Sequence, residues 1–285
     1  MLRRLFGCLA AVVFLAMPFV VRAQGDYLDV YSVKVKPEKT AEFNTLTKKW
    51  VDANRRYNGD HWLTLETMYG EGDVYVFTSI RSSYADIDKA NEASMGAVRK
   101  AFGPQTEKVM QDFESCLASS RSELRRRRWD LSRKAPADAA AYTKLIGESR
   151  YLRTTAVHVR PGRVADFEAL LKDMKDAGEK AANTQPVFVS QAIEGTKGTI
   201  FYVSTLRGSM AGFDNNPTMR EILGEEGYKK FLQGNADIVE EADSTLFRLS
   251  PELSNPPDDV VAVAPGFWRP KPAASAAAAK PKPKE

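Results

Sequence analysis

The chain contains one stretch twice. Tyr27–Phe43 reads YLDVYSVKVKPEKTAEF and Tyr151–Phe167 reads YLRTTAVHVRPGRVADF, with Tyr, Leu, Val, Val, Pro and Phe in matching places. Each copy alternates as a strand does, breaks at Pro37 or Pro161, and then takes up a helical spacing. The correspondence continues downstream, with Arg81 matching Arg207 and Leu124 matching Leu246. A repeat this long is a duplicated domain and not a solenoid, whose units run about 20–50 residues.

The same pattern can be followed through both copies. After the first strand, Phe43, Leu46 and Trp50 fall at helical spacing, as do Phe167, Leu170, Leu171 and Met174. A hairpin follows in each: Trp62–Met68 with Val74–Ile80, and Val187–Ile193 with Thr199–Leu206, turning at Gly-containing loops. Two short helical pieces, Ser83–Asn91 and Met95–Phe102, precede a longer helix over Gln105–Ser119. The second copy's long helix is expected over Tyr228–Ala242. Glu123–Leu131 and Thr245–Leu249 close the copies as strands. The layout is a signal segment over 1–23, a first copy over 24–132, a linker over 133–149, a second copy over 150–254, and a tail over 255–285.

The two ends have their own chemistry. Arg3 and Arg4 precede the apolar run Leu5–Val21, and Val21-Arg22-Ala23 suits cleavage before Gln24. This predicts export to a periplasmic or extracellular place, with no stable membrane span after cleavage. Cys116 is then the one cysteine left, so no internal disulfide is expected. Pro265–Glu285 is dominated by Pro, Ala and Lys and reads as disordered. These ends carry the basic excess behind the net charge of +4, which leaves the folded part near neutral. A nucleic-acid partner needs a concentrated basic surface and is excluded on that ground.

Each copy thus reads β-α-β-β-α-β, the ferredoxin-like order. Helices cover one face of such a sheet, and the other face needs a cover of its own. Two tandem copies supply it by packing sheet to sheet into a barrel-like α+β unit. The order, the V-x-V-x-Pro-x-x-x-x-x-Phe pattern of Val33–Phe43 and Val157–Phe167, and the hairpins ending at Arg81 and Arg207 resemble the dimeric α/β-barrel superfamily. That group includes NIPSNAP-like proteins, antibiotic-biosynthesis-type and haem-degrading monooxygenases, EthD-like proteins and chlorite dismutases. The resemblance covers about residues 26–132 and 150–254.

The candidate chemistry is sparse. No HExxH, CxxC or His/Asp cluster occurs, so no protein-only metal site is expected. Among two histidines, His158 sits on a strand and is the candidate ligand-binding one, while His61 follows a turn and is expected at the surface. The counterpart of His158 is Lys34, so the place calls for polarity more than for an imidazole. Arg125–Arg128 alternates across a strand, so one pair faces the space between the sheets, unless the run guards an edge. Arg126 matches Arg248 of the other copy, and both are candidate anion ligands. Trp62 and Phe188, among the hairpin aromatics Tyr75, Phe77 and Phe201, are candidate walls of an aromatic cavity. Cys116 aligns with Ile238 and reads as core; Glu225-Glu226 and Glu240-Glu241 read as solvated helix surface.

These residues predict a protein that binds a small apolar or aromatic organic molecule between its sheets, without a cofactor. The resemblance implies two alternatives: an oxidative enzyme, cofactor-free or haem-dependent, or an assembly module with no ligand. The haem-binding relatives imply an axial ligand on a helix, which His158 does not match.

Overall fold

The computed structural model describes residues 26–182, 184–214 and 216–270. The expected signal segment and the Ala/Lys-rich end of the tail lie outside the described residues. The first half runs β1 (Tyr27–Val35), α1 (Thr40–Arg56), β2 (Leu63–Tyr69), β3 (Val74–Arg81), α2 (Tyr84–Phe102), α3 (Thr106–Ser115) and β4 (Leu117–Arg127). Then come α4 (Ala139–Glu148) and the second half: β5 (Tyr151–Val159), α5 (Val164–Lys180), β6 (Phe188–Glu194), β7 (Thr199–Arg207), α6 (Met219–Ile238) and β8 (Val239–Leu249). Two short helices follow, α7 (Asp258–Val263) and α8 (Pro265–Trp268).

The eight strands form one closed barrel in the order β1-β3-β2-β8-β5-β7-β6-β4, and every pairing is antiparallel. Register is the same in both halves: Tyr27 faces Arg81 and Tyr151 faces Arg207. The bulge at Lys34/Val35 recurs at His158/Val159. The halves are stitched at two seams, β2 to β8 and β4 to β6. The cover for each sheet's bare face therefore comes from closure of one barrel, which also removes the sheet edges. The arginine run of β4 guards no edge, because β4 pairs with β1 on one side and β6 on the other.

Alternation sorts each strand's side chains between two environments. On the outer face, Val33, Val35 and Tyr75 pack with Phe43 and Leu46 of α1 and with Cys116. The second half repeats this with Val157, Val159 and Phe201 against Phe167 and Leu171 of α5. Tyr75, Phe77 and Phe201 belong to these helix-facing clusters and not to the barrel interior.

Several element bounds differ from expectation. The two expected pieces after β3 are one helix, α2, capped by the Ser83 side chain accepting from Asp86 N–H. α6 begins nine residues early at Met219, where Thr218 and Glu221 form a capping box; Gly224, with φ 69°, then breaks the helical path. β4 and β8 also begin earlier, at Leu117 and Val239, because their polar first halves pair fully with β1 and β5. Those stretches are exposed on both faces, so no hydrophobic alternation announced them.

The largest correction concerns the tail. Residues 255–268 are packed. Asn255 bridges Trp62, Val260 and Val261 are buried, and Trp268 is 1% exposed with its indole Nε1 donating to Gly147 O at 3.0 Å. The partner is the linker helix α4, capped by Asp138. Gly147 lets the two elements touch, since a Cβ there would lie 2.5 Å from Val263. The apolar residues Val260, Val261, Val263, Phe267 and Trp268 fall among prolines without a sustained period, so the packing signal was invisible locally.

Candidate functional site: the barrel lumen

The inward-facing residues enclose a cavity of about 920 Å³. One end is covered by α4 and α7, through Tyr142, Ile146 and Val260. The opposite end is rimmed by Lys34, Glu71, Ser119, Arg121 and Asp243, of which all but Lys34 are exposed. Ligand cavities of roughly 300–1,000 Å³ are the usual size for small organic molecules.

The lumen walls differ in chemistry. β2, β3 and β8 contribute Leu65, Val76, Phe247 and Leu249, a continuous apolar surface that merges with Val30 and the cap. β4 contributes Arg121, Arg125 and Arg127, with Glu123 between the first two, at the positions matched on β8 by Asp243, Phe247, Leu249 and Thr245 respectively. Glu123 is buried, and its Oε2 accepts from Arg125 Nε and from the Tyr202 hydroxyl, both at 2.8 Å. Arg121 forms an ion pair with the other carboxylate oxygen. The Arg125 guanidinium also lies 3.4 Å from the Tyr202 ring centroid. Burial, more than the opposing fields of Arg125 and Glu123, pushes the Tyr202 hydroxyl up to about 12, so at neutral pH it is a hydrogen-bond donor. Arg127 stacks between Trp129 (3.9 Å) and Tyr142 (4.6 Å), and burial pushes its pKa down.

His158 lines the lumen near the open end, opposite Ile200 on β7 and Glu241 on β8. Phe188 borders the covered end, edge-on to Trp129 and Tyr142. Trp62 borders it too, but its indole is committed to Leu253 O at 2.9 Å. Arg126 and Arg248 do not line the cavity. Both stand exposed on the outer face, Arg248 paired with Glu66 at 2.7 Å across the β2–β8 seam. The inward pair is Arg125 and Arg127, which the repeat comparison passed over because only Arg126 has an arginine counterpart. Leu124, next to Arg125 on the opposite face, is buried and pairs with Asp29 of β1, and no local signal marked this because Glu123 beside it is buried as well. His61 is exposed at the covered end, with Nδ1 3.3 Å from Asn255 O.

Among the described residues no group of three His, Cys, Asp or Glu side chains is arranged to hold a metal ion. No described helix carries a histidine. His158, which lines the lumen, stands on β5 and not on a helix.

No known family's sequence profile matches the chain, and no curated protein matches it. Solved structures do. An anthrone oxidase-like protein aligns over 81% of this chain and 94% of its own, at 15% identity and a TM-score of 0.50. A protein assigned as a monooxygenase from Fusobacterium nucleatum aligns over 79% and 93%, at 14% identity and a TM-score of 0.48. Chlorite dismutase from Candidatus Nitrospira defluvii aligns over 83% and 93%, at 10% identity and a TM-score of 0.43. The barrel has the dimeric α/β-barrel fold. At these identities the likeness is one of fold and carries no activity.

Proposed function

We propose that the chain is an exported protein, built from tandem ferredoxin-like copies, that binds a small apolar or aromatic molecule in the barrel lumen. The observation that carries this is the two-sided cavity of about 920 Å³. Its apolar wall suits a hydrophobic body, and Arg125, Tyr202 and His158 suit a polar group at one edge. The sequence likeness to NIPSNAP-like proteins belongs to the same reading, since it rests on the repeated strand-Pro-helix pattern.

The test fills the lumen. Ala156→Trp places an indole on the wall between Tyr202 and Asp243. The probe is anilinonaphthalene sulfonate, an aromatic body with one anionic group. The expected result is saturable binding to the native protein and about tenfold or greater weakening in the variant, with the thermal transition retained. Equal binding by both folded proteins would sink the proposal. Export is tested separately: the mature protein should begin at Gln24.

The fold shared with the anthrone oxidase-like protein favours a second reading, a cofactor-free oxidative enzyme acting in the same lumen. Oxygen uptake with a hydroquinone, abolished by Ala156→Trp, distinguishes catalysis from binding alone.

A further inference from the structure

The matching outer corners of the two halves differ in charge. In the first half, Arg81 is buried and compensated: Asp60 accepts from Nη1 and Nη2 at 2.8 and 2.5 Å, and Asp29 lies 3.4 Å from Nε. Ser79, opposite Asp29, donates to His61 O at 2.8 Å. In the second half, Arg207 is equally buried, but Arg153 stands where Asp29 does and no acid replaces Asp60 in residues 184–187. Among the described residues Arg207 is held by neutral acceptors, Gly212 O, Leu206 O and the Asn216 side chain.

Three further observations mark this corner as short of negative charge. The Arg153 and Arg207 guanidiniums flank one ring, at 5.2 and 5.5 Å from the Phe213 centroid. Arg133 Nε and Thr205 Oγ1 are both buried and lack a hydrogen-bond partner. Thr205 lies directly across from Arg153. Arg133 joins this corner through its backbone pairing with Val187, whose neighbour Phe188 faces Ser204 beside Thr205. Burial first, then the fields of Arg153 and Arg133, push the Arg207 pKa down. Among the described residues the opposing carboxylate is Glu179, near Arg133, and it accepts from Lys134 N. Arg153 is exposed, so the corner can be reached from solvent.

We propose that Arg133, Arg153 and Arg207 form a binding site for a phosphate group on the outer face of the second half. Guanidiniums present forked donors that match tetrahedral oxyanions, and a multiply charged anion supplies the acceptors that this corner lacks. This site is separate from the lumen and independent of its proposed ligand.

The test uses the full chain and inorganic phosphate, with chloride at matched ionic strength as reference. Phosphate should raise the thermal transition of the native protein in a saturable way. Arg153→Asp recreates the first half's arrangement; it should raise the transition without phosphate and weaken phosphate binding by about tenfold or more. Arg153→Gln, which adds no charge of its own, should weaken binding in the same direction. Vesicles containing phosphatidylglycerol form a second arm. A response to vesicles alone, lost in Arg153→Asp, assigns the phosphate to a lipid headgroup; a response to inorganic phosphate assigns it to a soluble ligand. No response to either, or responses unchanged in both variants, would overturn the site.

Discussion

Arg81 and Arg207 occupy the same register position in two halves that share strand order, bulge and helix packing. One is locked to two carboxylates and the other sits among arginines. The lumen has the same kind of split: β4 lines it with three arginines, two of them held by the buried Glu123, while β8 presents Asp243, Thr245, Phe247 and Leu249 at matched places. The difference shows which constraints the barrel imposes. Strand pairing and the Val/Phe contacts under the helices are needed in both halves, since each must close the same sheet. Charge at a sheet corner or on a lumen wall is free to diverge, provided each buried ion finds an acceptor.

The strongest way to break the comparison is to remove compensation from the first half. Asp60→Ala leaves Arg81 buried with only Asp29 at its weaker contact, and should cost about 3–5 kcal/mol in urea unfolding. Asn216→Ala removes a neutral acceptor from Arg207 and should cost roughly 1 kcal/mol. Equal losses would mean that the two corners are energetically alike.

The lumen contrast predicts an alkaline effect, since Tyr202 matches Val76. The Tyr202 hydroxyl is raised to about 12, so the unfolded chain ionises it first. Stability from this group is complete below pH 10 and falls as pH rises toward 12. The loss should be on the order of 1 kcal/mol and absent in Tyr202→Phe, measured as the change in unfolding free energy between those pH values.

Smaller effects sharpen the corner comparison further. Ser79→Ala breaks a made hydrogen bond and should cost about 1 kcal/mol. Thr205→Val removes a hydroxyl without a partner and should be near neutral or stabilising, by thermal melts. Smallest is Arg248→Ala at the β2–β8 seam. Its ion pair with Glu66 is exposed, so the loss should be under about 1 kcal/mol and fade with added salt.

Much of the skeleton was legible in the residues. Tyr27–Phe43 against Tyr151–Phe167 announced strand, proline break and helix twice, and the Gly-containing loops announced the hairpins. What was not legible depends on distant partners. The polar starts of β4 and β8 gain strand form only from β1 and β5. Trp268 and Val260 become core only because α4 lies over the same barrel end. Asp60 compensates Arg81 from 21 residues away along the chain, and nothing in the repeat marked its absence from the second half.

The sequence by itself determined that two copies of one strand-helix unit exist and which of their residues are apolar enough to pack, because alternation and helical spacing are local properties. Tertiary structure alone decided that Arg125 and Arg127 face inward while Arg126 and Arg248 face solvent. A strand's parity relative to the barrel is set by register across the β4–β6 and β2–β8 seams, where bulges occur between Leu124 and Arg125 and between Thr67 and Tyr69. A one-residue slip at a seam exchanges the two faces, and no short stretch of sequence records it.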